Sequence, residues 1–290
     1  MMSKLWQLLR PAQWVKNLFV LLPIFFSGNM DKLVCWAPAF YTLIAFSLAA
    51  GGVYALNDVI DAPNDRLHPS KCKRPIASGA VSSRMGLLVS AVAMVIALLL
   101  AKITVSWQLM VILAVYLVMN VCYSLWLKKL AVVDVLVIAV GFVMRLLAGG
   151  MATGIVLSQW IVLMTFLLAL FLAISKRRDD VLMYQRDGIM ARSNIGKYNL
   201  TFINHSMVIM ASVMIVCYVM YSVSPEVTQR LKTTHLYLTT IFVIAGVLRY
   251  MQITFVNEDS ASPTHVLLHD RFMQLCIMAW IIAFVLIIYT

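Results

Sequence analysis

The chain has 290 residues, of which 62% are hydrophobic and 12% charged, with a mean hydropathy of +0.91. That composition excludes a soluble globular domain and is that of a polytopic membrane protein. A net charge of +11 in a soluble protein would point to nucleic acid; here the basic residues lie in short loops between apolar runs. They read as topology signals and as contacts to an anionic substrate, with no nucleic acid implied. The cysteines, Cys35, Cys72, Cys122, Cys217 and Cys276, are scattered without a C-x-x-C pair, which argues against a disulfide framework or a zinc site.

Taken in chain order, residues 1–17 place Lys4, Arg10 and Lys16 among Trp6, Leu8, Leu9 and Trp14, the pattern of a short amphipathic segment at a membrane interface. No small-residue cleavage site follows, so it does not read as a removed signal peptide. Apolar runs able to span about 30 Å of hydrocarbon then occupy 18–30, 36–58, 85–104, 107–126, 132–150, 156–175, 201–222, 236–256 and 272–289, which predicts nine helices. The first is short, and Pro23 predicts a kink in it. With nine spans, 18 of the 23 Lys and Arg residues fall on one side and only Lys32, Lys102, Arg230 and Lys232 on the other. The positive-inside bias then places the amino terminus and the loop after the second span in the cytoplasm.

The second span ends in NDVIDAPNDRLHPSKCKRPIASG, residues 57–79. Asn57, Asp58, Asp61 and Asp65 recur at spacings that put them on one helical face. Carboxylates that close raise one another's pKa, and a bound divalent cation relieves them. Oxygen ligands without Cys or His in register point to Mg²⁺ or Mn²⁺. Arg66, Lys71, Lys73 and Arg74 follow on a loop broken by Pro69 and Pro75, the setting for a diphosphate. The plain alternative is a solvated helix cap; the cost of so many polar groups at a membrane boundary weighs against it. Pro63 disfavours helix at Ala62, so the helix is expected to kink or end there, with Asp65 on the following turn.

The loop 175–199 repeats the theme, with Lys176, Arg177, Arg178, Asp179, Asp180, Asp187, Arg192, Lys197 and Tyr198. It is either an ordinary mixed-charge loop or a second acidic site facing the first. Its position after the sixth span, like that of 57–84 after the second, favours the latter and suggests two weakly similar halves within a single domain, residues 1–290. Within the fifth span, Arg145 either binds an anion in a central cavity or ties to a neighbouring helix, whereas Asp134 reads as a helix-start residue. His265 and His269, four apart, lack the acid of a zinc-protease motif and read as structural.

These residues carry a resemblance. Asn57-Asp58-x-x-Asp61-x-x-x-Asp65, the basic loop and the second charged loop resemble the UbiA superfamily of intramembrane prenyltransferases over essentially the whole chain. Arg10-Pro11-x-Gln13-Trp14-x-Lys16-Asn17, the run His68 to Gly79, Gly141-Phe142-Val143-x-Arg145, Ser175-Lys176-Arg177 and Ser262 to Arg271 resemble its decaprenyl-phosphate phosphoribosyltransferase branch. The quinone branch carries a widely spaced second D-x-x-x-D, in place of which this chain has Asp179-Asp180, and His265 stands where an acid is expected.

The resemblance implies an all-α bundle of nine transmembrane helices with a central cavity facing the cytoplasm, in a bacterial inner membrane. It implies Mg²⁺-dependent transfer of 5-phosphoribose from phosphoribosyl diphosphate to a polyprenyl phosphate. Asp58, Asp61 and Asp65 would hold the metal with Asn57, and Lys16, Arg66, Lys71 and Arg74 would neutralise phosphates. Asp180, or Asp179 in its stead, would serve the metal or the ribose. Asn17, Arg145, Lys176, Arg177 and Tyr198 complete the implied substrate contacts. The rival enzyme is a prenyltransferase moving the chain of a polyprenyl diphosphate onto an aromatic acceptor. A cation-coupled transporter is the non-enzymatic rival, against which stands the clustering of polar groups at one boundary rather than at the midplane.

Overall fold

Backbone inside hydrocarbon has to satisfy its own N–H and C=O groups, which is why the apolar runs fold as helices. The computed structural model describes residues 2–67, 71–188, 194–256, 266, 267 and 269–289. The helices are α1 (Met2–Leu8), a 3-10 segment (Pro11–Leu21) that runs into α2 (Leu22–Phe26), α3 (Trp36–Asp65), α4 (Ser83–Thr104), α5 (Trp107–Leu125), α6 (Val133–Thr153), α7 (Gln159–Asp187), α8 (Leu200–Val223), α9 (Pro225–Leu231), α10 (Thr240–Phe255) and α11 (Arg271–Tyr289), with no strand among the described residues. Starts follow sequence chemistry: the side chains of Ser82, Ser106, Ser158 and Asn199 accept from Met85, Leu109, Trp160 and Phe202 N–H groups at the first turns of α4, α5, α7 and α8.

Eight helices among the described residues are long and apolar enough to cross a membrane. They coincide with the second to ninth expected runs. The first expected run is the shorter apolar stretch Pro11–Phe26. Its Pro23 lies in the first turn of α2, where a missing N–H costs nothing, so it marks a start rather than an interior kink.

Two more expectations are corrected. Of the two outcomes expected at Pro63, an end to the helix is the one overturned: the helix carrying the acidic motif passes through Pro63 and ends at Asp65. Pro63 forfeits one bond near the end of a helix of 30 residues, and Arg66 N–H still reaches the Ala62 carbonyl at 3.2 Å. The sixth expected run does not give way to a loop at Ser175: α7 continues to Asp187, and Gly188, at φ 67°, ends it with its N–H on the Tyr184 carbonyl. Hydropathy falls where the charges begin, but charged residues sustain helix well, and Arg177 reaches Asp180 one turn on.

The chain divides into two compact units: residues 1–128 with 144–156, and 129–143 with 157–290. In the first, α3 packs along α4, and Ser90 donates its hydroxyl to the Gly52 carbonyl at 2.8 Å. Phe46, Ala49 and Val53 of α3 meet Ala97, Leu109 and Leu113 in its core. Leu8, fully buried, anchors α1 against Ala55, Ala62, Ile76 and Val81. In the second, α7 packs along α8, around Phe171, Ile174, Ile203, Met207, Tyr250 and Met273. Asp270 ties α10 to α11 by accepting from Arg249 Nη2 at 2.6 Å and from the Met273 N–H at 2.8 Å. The Arg249 guanidinium holds the Asp270 carboxyl below the usual carboxylate range.

The closest approach in the first unit is at Gly149 of α6, where an added Cβ would lie 2.0 Å from the Val20 carbonyl oxygen. Backbone cannot yield as a side-chain tip can. Gly149→Ala is therefore expected to cost about 1–3 kcal/mol, read as a lower Tm in detergent; an unchanged Tm would mean that α6 and Pro11–Leu21 do not meet there.

Candidate functional site

At 1.5 Å per residue the 30 residues of α3 extend about 45 Å, against about 30 Å of hydrocarbon. Its last turns, which carry the acids, are thus surplus to a span. Asn57, Asp58, Asp61 and Asp65 all lie on this one helix. Asp58 and Asp65 are 2% and 4% exposed. Buried carboxylates at that spacing require compensation, and segments remote in sequence supply it.

Arg10 forms an ion pair with Asp58. Arg74 Nη1 lies 2.6 Å from Asp65 Oδ2 and 3.4 Å from Asp58 Oδ1, so one guanidinium nitrogen is shared by two carboxylates. Lys128 Nζ is 2.5 Å from Asp61 Oδ1. Three acids thus face three bases. Arg10 reaches its place with a backbone at φ 49°, ψ 61°, immediately before Pro11. The left-handed region costs a side-chain-bearing residue about 1–2 kcal/mol. The Arg10 guanidinium also stands 5.3 Å from the Tyr54 ring centroid, a cation–π distance. Arg74 is presented by a tight turn in which its carbonyl accepts from the Ser78 N–H at 2.9 Å.

The remaining candidates of this unit are placed less centrally. Asn57, Lys16 and Lys71 are half-buried and Arg66 is exposed. Asn17 and Arg145 are buried together: Arg145 Nε donates to Asn17 Oδ1 at 2.7 Å and Nη2 to the Tyr116 hydroxyl at 2.9 Å, while Asn17 donates to Ser47 at 3.1 Å. Of the two readings of Arg145, these contacts supply the tie to neighbouring segments. His68, Pro69 and Ser70 lie outside the described residues, as do Arg192, residues 257–265 with His265, and the side chain of Asp187.

In the second unit the polar residues of α7 centre on Arg177, which is 1% exposed. Its Nε donates to Asp134 Oδ2 at 2.7 Å and its Nη1 to Asp180 Oδ2 at 3.3 Å. Nη2 is buried with no hydrogen-bond partner among the described residues. Tyr198 donates its hydroxyl to Asp134 Oδ1 at 2.6 Å and accepts from the Val132 N–H at 2.7 Å. Burial, helped by the bond to Asp134, pushes the Tyr198 hydroxyl up to about 12, so it remains a neutral donor. Lys176 is exposed on the same helix.

From sequence Arg10 reads as an interfacial and family-motif base and Lys128 as a topology signal, while nothing there points to Tyr54 or Tyr116. Asp134 does lie in the first turn of its helix, as its position suggested, but it is fully buried and binds two partners. A carboxylate beside a span boundary with an Arg and a Tyr elsewhere is too common a pattern to single it out.

The donor set on α3 suits a hard divalent cation, since it is all oxygen. Asp58 and Asp65 already share one cationic nitrogen, so their carboxylates can close on a common positive charge. Asp61 is engaged by Lys128 instead. Among the described residues no three His, Cys, Asp or Glu side chains converge on one point. Asp58 and Asp65, brought together on one cationic nitrogen, are the two acids whose chemistry suits such a cation.

The UbiA prenyltransferase family matches residues 20–275. A decaprenyl-phosphate phosphoribosyltransferase of Mycolicibacterium smegmatis is 32% identical over 97% of this chain and 91% of its own length. One of Corynebacterium glutamicum is 30% identical over 97% of this chain and 85% of its own length. The structure of a UbiA homolog from Archaeoglobus fulgidus bound to DMAPP and Mg²⁺ has the same fold, with a TM-score of 0.71 at 19% identity over 98% of this chain and 99% of that one.

The buried charges of α7 give a direct test of the second unit. Asp134→Ala or Arg177→Ala alone is expected to cost about 3–5 kcal/mol, because each strands the other's charge, whereas Asp134→Leu with Arg177→Leu recovers part of that loss. Thermal unfolding of the purified variants reads both; a double variant no better than the singles would mean that the pair is not isolated from water.

Proposed function

The chain belongs to the UbiA prenyltransferase family, and from that premise we propose that it transfers 5-phosphoribose from phosphoribosyl diphosphate to a polyprenyl phosphate, releasing diphosphate. The observation that carries the reading is the acidic end of α3, where buried carboxylates share cationic partners, in a chain that aligns almost end to end with two decaprenyl-phosphate phosphoribosyltransferases.

In the reaction, the bond from ribose C1 to the diphosphate oxygen breaks and a bond from C1 to an oxygen of the lipid phosphate forms. The acceptor oxygen is already anionic, so no base has to remove a proton. Asp58 and Asp65, with Asp61 and Asn57, would hold a divalent cation, Mg²⁺ in the first instance. When bound, such an ion supplies positive charge to the leaving diphosphate. Arg74, Lys71, Lys16 and Arg66 bind phosphate oxygens as fixed donors where negative charge develops. In the second unit, this reading assigns Asp180, held by Arg177, to the ribose or a cation. Tyr198 holds Asp134, and through it Arg177, in register. Lys176, exposed on α7, adds positive charge to that unit. The amino terminus and the acidic end of α3 face the cytoplasm of a bacterial inner membrane in this reading, following the distribution of basic residues.

The test is a transfer assay with purified protein, Mg²⁺, labelled phosphoribosyl diphosphate and polyprenyl phosphate. Label is expected in the lipid phase, abolished by EDTA and reduced at least about a hundredfold in Asp58→Asn, the scale of removing one fixed charge from a preorganised site. A folded protein that leaves the lipid unlabelled across several chain lengths would overturn the reading in favour of prenyl transfer from a polyprenyl diphosphate to an aromatic acceptor.

A further inference from the structure

We propose that Arg10 exchanges partners at this site: it neutralises Asp58 while no divalent cation is bound, and binds a phosphate group of the donor once Asp58 is taken by the cation. The inference rests on the donor reading above and adds a residue to it.

The backbone at Arg10 is the first reason. A φ of 49° directly before Pro11 combines two disfavoured choices, the left-handed region for a side-chain-bearing residue and a helical ψ before proline. Such a conformation persists only where the surroundings dictate it, and it gathers at functional positions. Here Leu8 is fully buried on one side, and on the other the Gln13 N–H bonds to the Arg10 carbonyl at 2.8 Å. The result of this arrangement is to aim one guanidinium at Asp58.

The second reason is charge. The Asp58 side chain is 2% exposed while that of Arg10 is 28% exposed, so the base has room to move and the acid does not. A guanidinium and a divalent ion on one buried carboxylate repel each other. When the ion is present, Arg10 has lost its counter-charge and its best remaining partner is an anionic oxygen arriving with the ion. Phosphate suits it, because the planar fork of Arg meets two phosphate oxygens at once. Arg74 is not displaced in the same way, since its closer bond is to Asp65. The Tyr54 ring attracts the guanidinium in both states and keeps it beside the site after Asp58 lets go.

The exchange makes two affinities move in opposite directions, which a merely structural arginine would not do. Arg10→Gly is the informative variant, because glycine adopts the left-handed backbone freely. Arg10→Lys keeps the charge and loses the fork. The full chain in detergent is titrated calorimetrically with Mn²⁺ alone, then with phosphoribosyl diphosphate at saturating Mn²⁺. Arg10→Gly is expected to bind Mn²⁺ alone about tenfold more tightly and the donor about tenfold or more weakly, with Arg10→Lys between it and the parent protein in both. Metal and donor affinities that weaken together, or a metal affinity left unchanged, would overturn the exchange. If the parent protein binds Mn²⁺ but not the donor, the donor reading fails, and the metal arm still decides whether Arg10 competes for Asp58.

Discussion

Acidic side chains at Asp58, Asp61 and Asp65, two of them buried on one helix, set the constraint that the first unit has to meet. A buried carboxylate without a partner either takes up a proton or destabilises the fold. The chain answers with Arg10 from its amino-terminal segment, Arg74 from the turn after α3 and Lys128 from the 3-10 turn (Leu127–Lys129) after α5. Two of these bases are delivered by apolar packing: Leu8 fixes the approach of Arg10, and Ile76 and Val81 fix the turn that presents Arg74. Removing a base weakens the compensation of the acid it meets, Asp58 alone keeping a second cation within reach in Arg74, so the packing of this unit and the chemistry of its acids are not separable.

The compensation is also what makes the acids usable. Bases that hold carboxylates can hold phosphates equally well, and acids that hold guanidinium can hold a divalent cation. In the proposed reaction, a metal–diphosphate complex entering such a cluster would find both halves of its complement in place. In the second unit the same physics is put to a different end. Asp134 and Arg177 are buried at 0% and 1% exposure and locked by Tyr198, which makes them a rigid support for Asp180 rather than exchangeable groups.

How much of this was legible in the sequence depended on distance along the chain. Helix positions were legible because hydropathy is local: α4, α5, α8 and α11 fall within two residues of their expected bounds. The overshoot of α7 past Ser175 was not, since hydropathy stops at the first charges, while helix propensity and the Arg177–Asp180 pair carry on. The common face of Asp58, Asp61 and Asp65 followed from spacing alone. Their partners did not, because Arg10 and Lys128 lie 48 and 67 residues from the acids they meet, and only tertiary packing chooses among the chain's many bases. Arg145 shows the same limit: an arginine within a span signals a role, but the Asn17 and Tyr116 that engage it lie 128 and 29 residues away.

The central claim is that the acids of α3 bind the donor's diphosphate through a divalent cation. The most direct measurement is pulsed electron–nuclear double resonance on the purified protein with Mn²⁺ and phosphoribosyl diphosphate. The account predicts phosphorus coupling from the donor to protein-bound Mn²⁺, present in the parent protein and lost in the Asp58→Asn, Asp65→Asn double variant. Mn²⁺ bound by the parent protein without phosphorus coupling, or coupling that survives the loss of both carboxylates, would contradict it.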